Sequence, residues 1–271
     1  MTNKGMAKDT LEILAKKYYI NTEKEKIELS KEIEICKKET VLLSSDELSR
    51  LSETIKGKDI FETQIEAWNC SSLKAILQLS NEENQERLMC LNFASAKNPG
   101  GGFISGAEAQ EESLARTSAL YASQLEAENF YKTHRGMKSC FYTDSMIYSP
   151  SVPVFRKDKG ELLKKPVLCN FITSAAVNAG VVKRQEPERA DEIIDAMDVR
   201  MDKMFALALM KRNETLILGA WGCGVFRNNP EDIAQLFRKH LEGKYKNKFK
   251  RVVFAVLTKN EGLMKLFEEI R

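Results

Sequence analysis

The chain has 271 residues, 43% of them hydrophobic and 30% charged, which indicates a folded protein with a sizeable core and excludes a chain disordered by composition. Its 42 basic and 39 acidic residues leave a net charge of +3 without a basic stripe, so we expect no DNA partner. The six cysteines are scattered and form no C-x-x-C pair, which predicts a reducing compartment and no zinc site. Residues 1–9 carry no signal-peptide pattern, and no apolar run reaches the length of a membrane span. We therefore expect a cytoplasmic protein, or a nuclear one in a eukaryote, with no membrane partner.

Residues 1–58 differ from the rest of the chain, and we interpret them as an N-terminal helical elaboration packed on a main domain of residues 59–271. A segment of this length would have a poor core by itself. Its predicted helices cover residues 9–18 with Asp9 as the cap, 30–39 and 45–55.

From residue 59 onward, apolar runs typical of strands alternate with helical patterns. The predicted strands cover residues 61–68, 88–94, 167–173, 215–218 and 252–257. The predicted helices cover residues 72–79, 110–120, 188–212, 230–241 and 261–270. This alternation predicts a three-layer α/β fold, with a mixed, largely parallel sheet covered by helices on both faces.

Two glycine-rich loops, 98–103 and 219–226, each follow a predicted strand directly. Ligands of α/β sheets bind where loops leave the carboxyl ends of strands. Consecutive glycines let backbone N–H groups converge on an anion, and the helices that follow add partial positive charge. Neither loop matches a Walker or dinucleotide-fold motif. A single triple glycine is often only a turn, but two such loops together predict a pyrophosphate held between them.

Gln110, Glu111 and Glu112 stand at the predicted start of the helix that follows the first glycine loop. Acidic residues at this position often only complement the helix dipole. Their closeness to an anion-binding loop favours a catalytic role instead. Because adjacent helical residues point about 100° apart, the two glutamates are expected to have different roles.

The same residues carry a resemblance to a known family. Residues 92–102, followed after seven residues by Gln110-Glu111-Glu112, resemble the signature of microbial-type poly(ADP-ribose) glycohydrolases, which are catalytic members of the macrodomain fold. The similarity continues through residues 113–116, 149–156, 173–180 and 219–226 and covers most of the chain from residue 59 onward.

The resemblance implies hydrolysis of the ribose–ribose O-glycosidic bond of poly(ADP-ribose), with release of ADP-ribose. It assigns Glu112 as general acid and base, Glu111 as the residue that orients the ribose hydroxyls, and Gln110 as a further ribose contact. The implied substrate-binding residues are Asn98, Gly100, Gly101, Gly102, Gln110, Gly222, Cys223, Gly224, Val225 and Phe226. Phe226 would pack against the distal ribose. Binding of substrate is expected to raise the pKa of Glu112.

Two alternative functions stay open on the sequence. A non-catalytic macrodomain that only binds ADP-ribose would share the glycine loops but would not need Glu111 and Glu112. A hydrolase of a mono-ADP-ribose linkage would share the glycine loops and the two glutamates. In each case we expect ADP-ribosylated proteins as partners, a monomer, no cofactor and metal-independent chemistry.

The remaining chemically active residues receive structural interpretations. His134 and His240 are expected at the surface or at helix caps, and Cys223 as a small residue that lets its loop approach phosphate. An aromatic platform for adenine is expected from one of four residues, Phe103, Tyr148, Phe155 and Phe226.

Overall fold

The computed structural model describes residues 1–56, 59–82 and 84–270, without the side chain of Glu86. Lys58 and Arg271, the last residues of the two predicted parts of the chain, lie outside the described residues. The α-helices in the described ranges are α1 Asn3–Lys16, α2 Ser30–Glu39, α3 Ser45–Thr54, α4 Ser72–Leu79, α5 Gln110–Thr117, α6 Leu120–Glu126, α7 Glu128–Gly136, α8 Ala179–Gln185, α9 Glu192–Met210, α10 Pro230–Glu242 and α11 Glu261–Glu268. The strands are β1 Tyr18–Ile20, β2 Lys26–Glu28, β3 Val41–Leu43, β4 Gln64–Trp68, β5 Leu88–Phe93, β6 Met146–Arg156, β7 Leu162–Ser174, β8 Thr215–Leu218 and β9 Arg251–Ala255.

Seven of these strands form the central sheet, in the order β3-β6-β7-β5-β8-β9-β4. The five strands from β7 to β4 run parallel, whereas β3 and β6 pair antiparallel at one edge. The predicted mixed, largely parallel sheet is thereby confirmed. The strands β5 and β8 lie side by side near the centre, so the two glycine loops leave the sheet at neighbouring positions.

Alternate residues of the strands build two separate cores, one on each face of the sheet. In β5, Met89 and Leu91 belong to the core formed with α9 and α10. Leu88 and Cys90 face the other way, into the core formed with α2 and α4. Successive side chains of a strand point to opposite faces of the sheet. Because both faces are covered here, residues that point to either face are buried, and consecutive positions of β5 are apolar. Helices on both faces are thus confirmed.

The N-terminal segment differs from the prediction in two respects. Its first helix begins at Asn3 and is capped by Thr2, whose side chain accepts a hydrogen bond from Gly5 N at 3.1 Å, so the assignment of Asp9 as cap is wrong. Asp9 instead forms an ion pair with the fully buried Arg156. The segment also contains strands: β1 and β2 form a separate hairpin, and β3 joins the central sheet. The domain division at residue 58 stays a prediction.

The long strand β6 was not predicted. It contains Pro150 and Pro153, which cannot donate to a sheet ladder and therefore resemble a loop signal. The chain accommodates them next to a register shift between Ser149 and Val152 in the pairing with β7.

The helix that carries the glutamates is shorter than predicted, because it ends at Thr117 and not at Leu120. The Ser118 side chain donates to Leu114 O at 2.7 Å, and Ser118 forms an isolated bridge with Val154 of β6. This break turns the chain into α6 and brings Gln124 back beneath the first turn of α5, where it contacts Glu111.

Candidate active site

A cleft of about 400 Å³ lies where the loops after β5 and β8 face each other. Its lining includes ten of the twelve predicted site residues: Asn98, Gly101, Gly102, Gln110, Glu111, Glu112, Gly222, Gly224, Val225 and Phe226. The other two lie outside it. Gly100 is a buried residue of the first loop, and Cys223 faces an adjoining cavity.

The triple glycine forms a tight turn that only glycine can follow at two positions. Gly100 and Gly101 have φ angles of +66° and +57°, in the left-handed region that is costly for other residues. A Cβ atom on Gly101 would overlap the carboxylate of Glu112, and one on Gly100 would lie 2.7 Å from the ring of Phe103. The absence of side chains at these glycines therefore makes room for the Glu112 carboxylate beside the turn.

Glu112 lies at the rim of the cleft on the first turn of α5. Its Oε1 accepts a hydrogen bond from Gly102 N at 2.9 Å, which ties the carboxylate to the glycine turn. Its Oε2 has no hydrogen bond to any described residue. The half-buried side chain is thus held in place by one oxygen while the other is free for a ligand.

Glu111 is almost fully buried, with 2% of its surface exposed, and sits at the floor of the cleft. Its Oε1 accepts from Gln124 Nε2 at 2.9 Å and Asn92 Nδ2 at 3.1 Å, and its Oε2 accepts from Ser95 N at 2.6 Å. Burial raises the pKa of Glu111 from its ordinary 4.5 to about 8, against the opposing effect of these three donors. The two adjacent glutamates therefore occupy very different environments.

Gln110 anchors the start of α5 to strand β5. Its Oε1 accepts from Phe93 N at 2.9 Å, and its Nε2 donates to Leu91 O at 2.7 Å and to Ser72 Oγ at 3.1 Å. These bonds fix where the helix begins, and hence where Glu111 and Glu112 point.

The second loop is held at its base and open at its tip. Gly222 has a φ of +75°, and its carbonyl accepts from Asn228 Nδ2 at 3.2 Å. The same amide donates to Val177 O at 2.8 Å. At the tip, Val225 is 78% exposed. Asn228 is a supporting residue that the sequence analysis missed, since an asparagine beside a glycine loop is also typical of a turn.

Phe226 stands at the end of the second loop and lines the cleft. Its carbonyl accepts from Gly180 N at 3.0 Å, which joins the loop to the start of α8. Of the four aromatic candidates for stacking, Phe103, Tyr148 and Phe155 are buried in the core, so those assignments are wrong. Phe226 is the member of that set that reaches the cleft.

The adjoining cavity, of about 610 Å³, shares part of its wall with the cleft. The shared residues are Phe93, Ala109, Gln110, Ala220 and Gly224. Beyond them it extends over the ends of β4 and β9, where Leu257 is 75% exposed. Together the two cavities form one elongated depression across the carboxyl ends of the parallel strands.

Both histidines are buried, so their assignment to the surface is wrong. His134 has no exposed surface, and its Nε2 accepts from Thr143 N at 3.1 Å. His240 is 7% exposed, and its Nε2 lies 2.9 Å from a carboxylate oxygen of Asp198. Charged residues flank each histidine in the sequence. Adjacent residues of a helix point in different directions, so charged neighbours do not show on which face of the helix the histidine lies.

In the described residues, no group of three or more His, Cys, Asp or Glu side chains could hold a metal ion. All six cysteines are free thiols. Among the described helices, none is long and apolar enough to cross a membrane.

The chain is similar to known proteins over nearly its whole length. Residues 7–157 match the family described as microbial-type PARG, catalytic domain. The structure of poly(ADP-ribose) glycohydrolase from Thermomonospora curvata is 37% identical, with a TM-score of 0.93, and the match covers 98% of this chain and 97% of that one. The same enzyme bound to the inhibitor ADP-HPD is 36% identical, with a TM-score of 0.91 and the same coverage. Poly(ADP-ribose) glycohydrolase from Deinococcus radiodurans in complex with ADP-ribose is 40% identical, with a TM-score of 0.82, covering 87% of this chain and 95% of that one. No curated protein sequence matches the chain.

Proposed function

Because this chain belongs to the microbial-type poly(ADP-ribose) glycohydrolase family, we propose that Glu112 is the general acid and base of its reaction. The enzyme cleaves the ribose–ribose O-glycosidic bond of poly(ADP-ribose) and releases ADP-ribose. The observation that carries the proposed role is the position of Glu112 at the rim of the cleft, with Oε1 held by Gly102 N and Oε2 free.

In the proposed mechanism the protonated Glu112 gives its proton to the departing ribose oxygen as the C–O bond breaks. The resulting carboxylate then takes a proton from water, and the hydroxide portion adds to the oxocarbenium-like carbon. The overall reaction consumes one water and returns the proton to Glu112, so a single carboxyl group serves both steps.

Glu111 is proposed to orient the distal ribose. With its pKa raised to about 8, the Glu111 carboxyl keeps its proton at neutral pH, and its two oxygens already accept three protein donors. The carboxyl O–H is left to donate to a ribose hydroxyl oxygen. The protein contacts make this group a fixed reference for the sugar, and Gln110 contributes by fixing the helix that carries both glutamates.

The pyrophosphate is proposed to lie between the triple glycine and the loop residues Gly222, Gly224 and Val225. Backbone N–H groups in glycine turns favour such anions. Phe226 packs against the distal ribose in this arrangement. The adenosine end then extends into the adjoining cavity, whose exposed Leu257 offers an apolar surface to a base. Cys223, which faces that cavity, contacts this part of the ligand.

We further propose that ADP-ribosylated proteins carry the polymer to this enzyme, which acts as a cytoplasmic monomer without a metal or other cofactor. Residues 1–58 are proposed to be an elaboration that is attached to the main domain and does not fold alone. The contacts of α1 with the loop around Phe103 and with α5 support this interpretation.

The test is incubation of purified poly(ADP-ribose) with the wild type and with Glu112→Ala. Loss of general acid–base catalysis is expected to lower kcat by about 10²–10⁴-fold. The affinity for ADP-ribose, measured by calorimetry, should change much less. Glu39→Ala, which removes an exposed carboxylate at the end of α2, is the matched control.

Each other outcome has a defined meaning. Release of ADP-ribose by Glu112→Ala at the wild-type rate would remove the proposed role of this residue. Binding of ADP-ribose without any turnover by the wild type would identify a reader of ADP-ribose. Turnover of mono-ADP-ribosylated protein but not of the polymer would show that the enzyme hydrolyses a mono-ADP-ribose linkage and not the ribose–ribose bond.

A further inference from the structure

Tyr142 adopts an uncommon backbone conformation close to the cleft. It lies in the segment between α7 and β6 and has a φ of +58°, in the left-handed region that bulky side chains rarely enter. Such outliers persist where the surrounding contacts require them, and they are concentrated near functional sites. None of the catalytic steps above uses this residue.

The side chain of Tyr142 is held from several directions. Its hydroxyl donates to Cys140 Sγ at 3.5 Å, close to the side chain of Asn178, the N-cap of α8. The backbone N–H of Asn178 in turn donates to Cys140 O at 3.0 Å. The ring therefore has a fixed orientation relative to the start of α8.

The Tyr142 ring contacts a buried ring on one side and a ring that lines the cleft on another. The ring of His134 meets it edge-on, with centroids 5.5 Å apart, while the ring of Phe226 lies at 6.4 Å. His134 is fully buried, and burial lowers its pKa to about 4, so it presents a neutral, rigid surface. Tyr142 thus lies between an immobile ring and a ring at the end of the open second loop.

Phe226 needs such a support more than its neighbours do. The preceding residue Val225 is 78% exposed, and a Cβ atom on Gly224 would meet nothing within 4 Å. The backbone of Phe226 is fixed by Gly180 N, but a single backbone bond does not fix the direction of its side chain.

We propose that Tyr142 is a positioning residue that keeps the Phe226 ring turned toward the distal ribose and so toward Glu112. The inference rests on the proposed role of Phe226. Without this support, the ring samples other rotamers, and the sugar spends less time in the geometry that reacts. Binding of the pyrophosphate and adenosine parts of the ligand does not depend on it.

The experiment is a double-mutant cycle of Tyr142→Ala and Phe226→Ala, with kcat and KM measured on poly(ADP-ribose) and the Kd measured for ADP-ribose. In the wild-type background, Tyr142→Ala is expected to lower kcat about tenfold with a change in KM of less than about threefold. In the Phe226→Ala background, the same change should cost less than about twofold, because the supported ring is gone. Tyr142→Phe keeps the ring and should restore most of the lost kcat.

Equal losses from Tyr142→Ala in both backgrounds would overturn the proposal, since they would show a structural effect independent of Phe226. A fall in melting temperature with unchanged kcat would overturn it as well. Tyr18→Ala, which removes a tyrosine ring from the remote hairpin beside Lys26, is the control for ring removal and should leave kcat unchanged. If the wild type releases no ADP-ribose at all, the proposed function itself has failed, and that result is distinct from either outcome above.

Discussion

The two loops that enclose the cleft are held in different ways. In the first, three side chains at the start of α5 bind backbone N–H groups: Gln110 binds Phe93, Glu111 binds Ser95 and Glu112 binds Gly102. The second loop is held near its base, by Asn228, by the bond from Trp221 Nε1 to Ser174 O and by the bond from Gly180, and its tip at residues 224–225 is exposed.

This difference separates the tasks of the two loops. Groups that take part in bond breaking gain most from being fixed before the substrate arrives. A loop proposed to hold a pyrophosphate needs fewer protein contacts at its tip, because the ligand supplies contacts there when it binds. The side of the cleft with the proposed catalytic residues is therefore preorganised, whereas the side proposed to hold the pyrophosphate has fewer contacts at its tip.

The most severe test of this contrast replaces one glycine in each loop. Gly101→Ala places a methyl group on the Glu112 carboxylate and strains a residue with φ of +57°, so kcat should fall by about 10²-fold or more. Gly224→Ala meets no neighbour within 4 Å and should raise KM by no more than about threefold. Steady-state kinetics on poly(ADP-ribose) measure both. Similar losses from the two substitutions would mean that the loops are equally constrained.

The burial of Glu111, on the first turn of α5 beside the first loop, predicts a pH-dependent stability. Its pKa is raised from 4.5 to about 8 in the folded state, so the fold retains a proton that the unfolded chain releases. The resulting stabilisation is complete below about pH 4.5 and is lost as the pH rises through 8, with a slope of up to about 1.4 kcal/mol per pH unit. Urea unfolding of wild type and Glu111→Gln from pH 5 to 9 measures it. The unfolding free energy of Glu111→Gln should lack the part of the pH dependence that comes from this carboxyl, whatever the absolute stability of the variant. If wild type and variant show the same pH dependence, the raised pKa of Glu111 is not its cause.

Asn228→Ala tests the base of the second loop and has the smallest expected effect. It removes the donors to Val177 O and Gly222 O, which should cost about 1–3 kcal/mol of unfolding free energy. We expect a higher KM with kcat nearly unchanged, because the loop is proposed to hold the pyrophosphate, and Phe226 keeps its own contacts with Gly180 N and Tyr142. Thermal melts and steady-state kinetics distinguish this from a fall in kcat, which would show that the base of the second loop also positions catalytic groups.

Much of the architecture could be predicted from local sequence patterns. The helix over residues 30–39 and the strand over residues 215–218 have the predicted bounds, and residues 45–55 differ by one residue at the end. The start of that last helix is a capping box between Ser44 and Glu47. Such features depend on residues three or four positions apart, so the sequence contains them directly.

The amino-acid sequence by itself determined the glycine loops, their places after buried strands, and the pair of glutamates that follows the first loop. Only the tertiary structure decided that Gln124 contacts Glu111, that both histidines are buried, and that the rings of Tyr142 and Phe226 lie near each other. A periodic pattern records how a residue relates to its own helix or strand, whereas burial and pKa depend on partners that the fold brings in from distant parts of the chain. The environments that distinguish Glu111 from Glu112 therefore arise only when α6, β5 and the two loops come together.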